Sequence, residues 1–162
     1  CYEQAIKISK ISKNIFVKIP ITYTNGDSTL ELIKNLTQQN INLNITAIFT
    51  IEQIKKILPS ISQTKTILSI FSGRLYDIGL DASELFLEMS NFVHKNSKCK
   101  TLWASSRMSY DFINAIKSKG DIITMSPDIA IKLNIFGKNP KSFSLETVQT
   151  FFNDAKKSGF KI

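Results

Sequence analysis

A short apolar stretch with a lysine at its centre decides between two classes of fold and function. It is Asn14-Ile-Phe-Val-Lys-Ile-Pro-Ile-Thr22, and its composition predicts a strand. Burying a charged amine among apolar side chains is costly, and desolvation favours the neutral amine. Lys18 therefore has two interpretations. It is either a charge that protects an exposed edge strand from aggregation, or a reactive amine that forms a Schiff base with a carbonyl compound.

The composition is that of one globular domain spanning residues 1–162. Hydrophobic residues make up 43% of the chain and charged residues 21%, which is enough for a hydrophobic core. No apolar run approaches the roughly 20 residues that cross a bilayer, and no signal peptide opens the chain. We therefore expect a cytoplasmic protein without a membrane partner.

The charge and the few cysteines narrow the function classes. The net charge is +8, but the lysines are scattered rather than collected in a stripe with interleaved aromatics, so we expect no nucleic-acid partner. A basic surface suits an anionic small substrate equally well. Cys1 and Cys99 are too few and too far apart for a disulfide framework, and with a single histidine we expect no metal and no cofactor.

Strand-like runs alternate with helical patterns along the chain, which predicts a parallel sheet with right-handed crossovers, in a (β/α) barrel or an open doubly wound sheet. Capping boxes at Ser28 to Glu31 and Thr50 to Gln53 indicate two helix starts. The predicted strands span residues 15–21, 42–49, 66–71, 100–105 and 121–125. The predicted helices span residues 2–9, 28–39, 50–61, 81–96, 108–119, 127–134 and 144–158.

Polar or aromatic residues recur near the carboxyl ends of these strands. Because residues two apart share a face of a strand, their parity favours a barrel lumen with a site at its top. Lys18 belongs to this set, which favours the reactive-amine interpretation. Trp103 is predicted either to floor the pocket or to lie in the core. The set comprises Lys18, Asn44, Thr46, Ser69, Phe71, Trp103, Ser105 and Arg107.

Two arginines follow successive strands and are candidates for binding phosphate. Arg74 follows the third strand, and Arg107 follows the fourth, close to Ser105 and just before a helix. A guanidinium and a hydroxyl beside a helix N-terminus form a recurring phosphate site, although each arginine alone could be a solvated loop residue. Tyr76 and Asp77 follow Arg74 and are close enough in sequence to reach the site, although we expect them to pack the loop.

Four motifs together resemble the transaldolase family of class I aldolases, which includes small members such as fructose-6-phosphate aldolase. The resemblance covers the chain from Ile15 to about Leu133, and any one of its motifs alone would be weak. The motifs are Val17-Lys-Ile-Pro-Ile-Thr22, Asn44-Ile-Thr-Ala47, Ser69-Ile-Phe-Ser-Gly-Arg74 and Trp103-Ala-Ser-Ser-Arg107.

The resemblance implies a (β/α)₈ barrel of the TIM type and a reaction that needs no metal. Lys18 matches the lysine that attacks the ketone of a ketose phosphate. The imine then accepts electrons as a carbon–carbon bond breaks, which leaves a dihydroxyacetone unit on the enzyme. Asn44 and Thr46 match positions that hold the intermediate's hydroxyls and the catalytic water.

The resemblance also implies a phosphate site for the sugar substrate. Arg74 matches the family's phosphate-binding arginine, and Ser105 and Arg107 match a serine and a basic residue at the same site. Ser69 matches a serine of larger transaldolases. Phe71 lies where transaldolases have Phe and fructose-6-phosphate aldolase has Tyr, which favours transfer of the unit over its release.

The chain departs from the family at its start. The family's lysine lies on the fourth strand, and the first three supply an aspartate acid/base, an Asn-Pro motif and a Glu or Gln. We therefore expect a partial barrel made of the last five strands. The expected function is that of a transaldolase in the pentose phosphate pathway or related sugar metabolism. The alternatives are a fructose-6-phosphate aldolase-type activity and an inactive barrel fragment. The apolar side of helix 144–158 predicts a homo-oligomer.

Overall fold

The computed structural model describes residues 1–159, which form five parallel strands in chain order with helices between them. β1 and β5 are the two edges of the sheet. The predicted parallel sheet and its alternation with helices are confirmed, and within residues 1–159 the sheet does not close into a barrel. The strands are β1 (Val17–Pro20), β2 (Leu43–Ile48), β3 (Ile67–Ile70), β4 (Lys100–Trp103) and β5 (Ile122–Ile123).

Eight α-helices accompany the strands within the described residues, and none of them is both long enough and apolar enough to cross a membrane. A 3₁₀ helix (Ile131–Ile135) directly follows the seventh. The helices are α1 (Tyr2–Ser9), α2 (Leu30–Gln38), α3 (Ile51–Ile61), α4 (Ser72–Asp77), α5 (Ala82–Asn96), α6 (Asp111–Lys117), α7 (Pro127–Ala130) and α8 (Pro140–Ser158).

One face of the sheet packs on the helices and forms the hydrophobic core. Val17 and Ile19 of β1 are buried while Lys18 between them is exposed, so the strand alternates as a half-buried strand does. Ile45 of β2 and Leu68 of β3 are fully buried in the same cluster as residues of α2, α3 and α5. The core therefore lies between the sheet and the helices, and Lys18 lies on the opposite face of the sheet.

Helix α3 begins as predicted and helix α2 does not. The Thr50 hydroxyl accepts from the Gln53 backbone N–H, and the Gln53 side chain accepts from the Thr50 N–H, which completes the capping box. At α2 the cap position is Thr29 instead of Ser28. The Thr29 hydroxyl donates a 2.6 Å hydrogen bond to the Pro20 carbonyl, so it ties the start of α2 to the end of β1.

Other boundaries also differ from the sequence predictions, and three of the differences have a clear origin. Helix α4 was not predicted, because its six residues are too short to show a helical period. The pattern at 127–134 divides into α7 and the 3₁₀ helix. Helix α8 begins at Pro140, four residues earlier than predicted, because Asn139 caps it by accepting from the N–H groups of Lys141 and Ser142.

Candidate active site

The face of the sheet opposite the core carries the polar residues. Lys18 of β1 is the register partner of Asn44 of β2, so the two side chains lie on the same face of adjacent strands. The Ser69 hydroxyl, on β3, donates a 2.6 Å hydrogen bond to Oδ1 of Asn44. The structure therefore brings Lys18, Asn44 and Ser69 together across three neighbouring strands.

Lys18 is more open than the sequence analysis expected. Its side chain is exposed, and β1 pairs only with β2 among the described residues, so the strand is an edge strand as well as part of the polar face. A groove of about 290 Å³ runs along this edge, between α1 and the turn that contains Thr22 and Tyr23. Burial therefore does not supply the desolvated environment that a strand interior would give.

Thr46 lies two residues beyond Asn44 and is buried. Its hydroxyl has no hydrogen-bond partner within the described part of the chain, although it is only 8% exposed. Ala47 follows with a φ of 60°, and the register between β2 and β3 shifts there as in a β-bulge. Bulges occur at sites where a side chain is re-aimed, and here the bulge ends the regular pairing beside Thr46.

A second group of candidate residues lies beyond the ends of β3 and β4. Phe71 is half-buried at the start of α4, with its ring 5.8 Å from the ring of Phe49. The Arg74 guanidinium lies 5.6 Å from the centre of the Phe71 ring, a cation–π contact. The aromatic ring therefore supports the exposed arginine from one side.

Gly73 joins α4 to the loop after β4. Its N–H donates a 3.3 Å bond to the Ala104 carbonyl, and a Cβ added to it would lie 1.6 Å from the Ser105 carbonyl oxygen. Only glycine permits so close a backbone approach. Ser105 itself has a φ of 65°, which turns the chain away from the strand direction. Together these contacts place Arg74 near Ser105 and Arg107.

Arg107 is held at both its side chain and its backbone. The guanidinium Nε lies 3.0 and 3.1 Å from the two carboxylate oxygens of Asp77, and Nη2 also donates to this carboxylate. The buried Asp111 carboxylate accepts from the backbone N–H groups of Arg107 and Met108, at 2.7 and 3.2 Å. Arg107 lowers the pKa of Asp77, chiefly through their hydrogen bond, and the nearby charge of Arg74 adds to this.

A sequence model described as Transaldolase/Fructose-6-phosphate aldolase matches residues 1–162. The chain belongs to this family. It is 32% identical to a probable transaldolase of Parvibaculum lavamentivorans over 162 residues, which are 99% of the chain and 69% of the relative. It is 35% identical to a probable transaldolase of Thermoplasma volcanium over 96% of the chain and 65% of the relative. A probable transaldolase of Bartonella henselae is 30% identical over 99% of the chain and 68% of its own length. The chain thus spans about two thirds of these relatives.

In this member of the transaldolase family the contacts link the candidate residues in two sets, and Ser69 joins the set of Lys18 and Asn44. Residues of the polar face surround Lys18, and residues of the strand ends surround the two arginines. Sequence reasoning favoured loop packing for Asp77 over a place in the site, and it missed Asp111. The position of Asp111, four residues after Arg107 and at the start of a helix, was the available signal. The first group is Lys18, Asn44, Thr46 and Ser69, and the second is Phe71, Arg74, Ser105 and Arg107.

Trp103 does not floor a substrate pocket. Ser69 of β3 pairs with Leu102, so Leu102 shares the polar face and Trp103 points to the helices. There its ring packs 5.0 Å from the Phe86 ring and 6.2 Å from the Tyr76 ring. The parity assigned from the sequence is therefore wrong by one residue, and Trp103 belongs to the core.

Proposed function

We propose that Lys18 forms a Schiff base with a ketose phosphate and that the enzyme transfers the resulting dihydroxyacetone unit to an aldose phosphate. The observation that carries this proposal is the pairing of Lys18 with Asn44 on the polar face of a transaldolase-family sheet. We place the reaction in the cytoplasm, in the pentose phosphate pathway or related sugar metabolism. The net charge of +8 suits phosphorylated substrates.

The reaction begins when the neutral Nζ of Lys18 attacks the ketone carbon C2 and water leaves, giving a protonated imine. Removal of the proton from the C4 hydroxyl then breaks the C3–C4 bond. The bonding electrons move into the imine to form an enamine, and an aldose phosphate departs. The enamine carbon next attacks the aldehyde of the acceptor, and water hydrolyses the new imine to release the product and Lys18.

The side chains beside Lys18 support the binding part of this cycle. Ser69 holds Oδ1 of Asn44, which leaves the amide N–H groups of Asn44 to donate to a hydroxyl of the bound unit. The buried hydroxyl of Thr46, which has no hydrogen-bond partner among residues 1–159, would donate to a water molecule admitted to the site. Arg74, Ser105 and Arg107 would bind the phosphate group beyond the strand ends.

The cleavage step also needs a proton acceptor. The residues that line the groove beside Lys18 in the described part of the chain include no carboxylate. The transaldolase resemblance assigns this role to an aspartate on a strand that precedes the lysine. General acid–base catalysis contributes about 10²- to 10⁴-fold, so we expect residues 1–162 alone to form the imine far better than they cleave the sugar.

Release of free dihydroxyacetone distinguishes transfer from the aldolase-type alternative. Wild-type protein and Lys18→Arg would be incubated with fructose 6-phosphate, with and without an aldose phosphate acceptor, and the products would be measured by chromatography. Transfer predicts product only with the acceptor, formed slowly because the groove beside Lys18 offers no carboxylate among the described residues, and Lys18→Arg should give none. Release without an acceptor would favour a fructose-6-phosphate aldolase activity. No turnover in either condition would favour an inactive barrel fragment.

We further propose that the enzyme is a homo-oligomer assembled through α8. Among the described residues of this 19-residue helix none is buried, and Phe151 and Phe152 are 67% and 68% exposed. Exposed apolar surface of this kind is typical of protein interfaces. A second copy of the chain is the partner that we propose for it.

A further inference from the structure

Arg107 extends along helix α4 from the start of that helix to its end. Its Cγ lies 3.2 Å from the point where a Cβ on Gly73 would be, so the side chain crosses α4 directly over the glycine. The guanidinium then reaches Asp77, the last residue of α4, four residues further along. Gly73 therefore provides the space for the arginine, and Asp77 fixes where its charged end lies.

Asp77 uses one particular edge of the guanidinium. Its carboxylate accepts from Nε and from Nη2, which is the side edge of the planar group. A guanidinium has five N–H donors in a rigid plane, so the edge formed by Nη1 and the second hydrogen of Nη2 points away from the carboxylate. That outer edge has the spacing to donate two parallel hydrogen bonds to a phosphate.

Stability alone is a weak explanation for this ion pair. The side chains of Arg107 and Asp77 are 41% and 48% exposed, and ion pairs at the surface contribute little to folding. Asp77 also lies close enough to Arg74 for that charge to lower its pKa, so two guanidinium groups share one carboxylate. Asp111, whose charge also acts on Arg107, is engaged by the backbone N–H groups of Arg107 and Met108, so Asp77 is the carboxylate that contacts the guanidinium at the strand ends, where we propose that the phosphate binds.

We propose that Asp77 is a positioning residue for substrate phosphate, because it holds the inner edge of Arg107 so that the outer edge faces the phosphate group. This inference rests on the proposed function. An arginine free in solvent loses much side-chain entropy when it binds a ligand, and the contact with Asp77 removes part of that loss beforehand. Asp77 also reduces the positive charge, so the two effects oppose each other and their balance can be measured.

Three variants separate positioning from charge. Asp77→Asn keeps the size of the side chain but loses the bidentate acceptor, and Asp77→Glu keeps the carboxylate on a longer stem. Asp81→Asn is the matched control. Asp81 lies four residues further along and caps α5 by accepting from the Ser83 and Glu84 N–H groups, a role that asparagine also fills. The control removes the same charge from the same region without touching Arg107.

The experiment measures the dissociation constant of inorganic phosphate by calorimetry and the unfolding temperature of each variant. Asp77→Asn should weaken phosphate binding about tenfold, the size expected for a lost charge-assisted contact, and Asp77→Glu should restore part of the affinity. Asp81→Asn should change the dissociation constant less than twofold. Equal or tighter binding by Asp77→Asn would overturn the proposal, as would undetectable binding by the wild type.

Reductive labelling of Lys18 by dihydroxyacetone, which has no phosphate, distinguishes positioning from a general structural role of Asp77. If Asp77 only stabilised the fold, its replacement would lower the labelling rate as well as the phosphate affinity. Asp77→Asn should be labelled at the wild-type rate, because the polar face is unchanged. Loss of labelling in parallel with loss of phosphate affinity would overturn the positioning role. Wild-type protein that binds phosphate but is never labelled would reject the proposed Schiff base, while the comparison of phosphate affinities would still decide the role of Asp77.

Discussion

The Ser69 hydroxyl lies 2.6 Å from Oδ1 of Asn44 and donates a hydrogen bond to it from the neighbouring strand. Ser69 is almost fully buried, and Asn44 is the register partner of Lys18. An amide side chain can rotate by 180° and exchange its donor and acceptor atoms. In the arrangement that the structure shows, the Ser69 hydroxyl occupies Oδ1 and leaves the donor N–H groups of Asn44 for a ligand.

Replacing Ser69 by alanine should therefore slow labelling of Lys18 more than it destabilises the fold. Loss of one buried hydrogen bond costs about 1 kcal/mol of unfolding free energy. We expect a several-fold lower rate of borohydride labelling with dihydroxyacetone, because the Asn44 amide is no longer held. Urea unfolding and mass spectrometry provide the two measurements.

Ser90→Ala is the matched control for this variant. Ser90 is fully buried, and its hydroxyl bonds the Thr101 hydroxyl and the Lys119 carbonyl on the helix side of the sheet. It should lose at least as much stability, because two hydrogen bonds are removed instead of one, with no change in labelling. Equal labelling by Ser69→Ala and Ser90→Ala would show that Ser69 does not orient Asn44.

Gly73→Ala should displace the loop that carries Ser105 and Arg107. The new methyl group would lie 1.6 Å from the Ser105 carbonyl oxygen, so the backbone must move. We expect a loss of about 3 kcal/mol or more of unfolding free energy, at the upper end of single substitutions, and loss of phosphate affinity. Denaturant unfolding and calorimetry would measure these changes.

Gly26→Ala is a control for the general cost of replacing a glycine. Gly26 has a φ of 89° and open space around its Cα, so alanine adds strain there without a clash. We expect it to lose about 1 to 2 kcal/mol of unfolding free energy and no phosphate affinity. If Gly73→Ala were as mild as Gly26→Ala, the close approach to Ser105 would be refuted.

Asp121 should make the fold less stable in acid. Partial burial raises the pKa of this carboxyl. The hydrogen bonds from the Thr101 backbone N–H and the His94 ring lower the pKa by more than burial raises it, so it lies below the ordinary value of 3.8. The folded protein therefore binds this proton less readily than the unfolded chain. The stabilising contribution is complete above the unfolded pKa and is lost as the pH falls below it.

Comparison with Asp121→Asn tests this pH dependence. The variant should be less stable than the wild type at pH 6, and the difference should shrink as the pH falls below about 4. Urea unfolding at a series of pH values would measure it. A difference that stays constant from pH 6 to pH 2 would exclude a contribution from the ionised carboxylate.

Phe152→Glu should weaken self-association if α8 is the interface. Phe152 is 68% exposed on the described chain, so a charge there should leave the fold of the protomer intact. Sedimentation velocity should then show a smaller species than the wild type. Thr150→Glu, on the opposite side of α8, should leave the assembly unchanged. Wild-type protein that sediments as a monomer would contradict the oligomer.

The sheet was predictable because local signals and tertiary packing agree there. Ile45 and Leu68 lie in runs of β-branched and aliphatic residues, and both are fully buried in strands. Helix α8 was placed four residues late because the pattern of apolar residues outweighed the Asn139-Pro140 start signal. The same signal, Ser126-Pro127, correctly gave the start of α7.

The site was only partly predictable because it depends on contacts that cross the chain. The parity of Trp103 depends on its register with β3, which the sequence does not encode locally. The contact of Gly73 with Ser105 joins residues far apart in sequence, and so does the ion pair between Asp77 and Arg107. The exposure of Lys18 likewise depends on which strands lie beside β1.

The most direct measurement is the intact mass of the protein after incubation with fructose 6-phosphate and borohydride, followed by mapping of the labelled peptide. Reduction makes an imine permanent, so its mass shows what is bound and its position shows where. We predict a single adduct on the peptide that contains Lys18, absent from Lys18→Arg. A three-carbon adduct would show that cleavage has occurred, and a six-carbon adduct would show imine formation alone. Folded protein without any adduct, or with the adduct on another lysine, would contradict the assignment of Lys18.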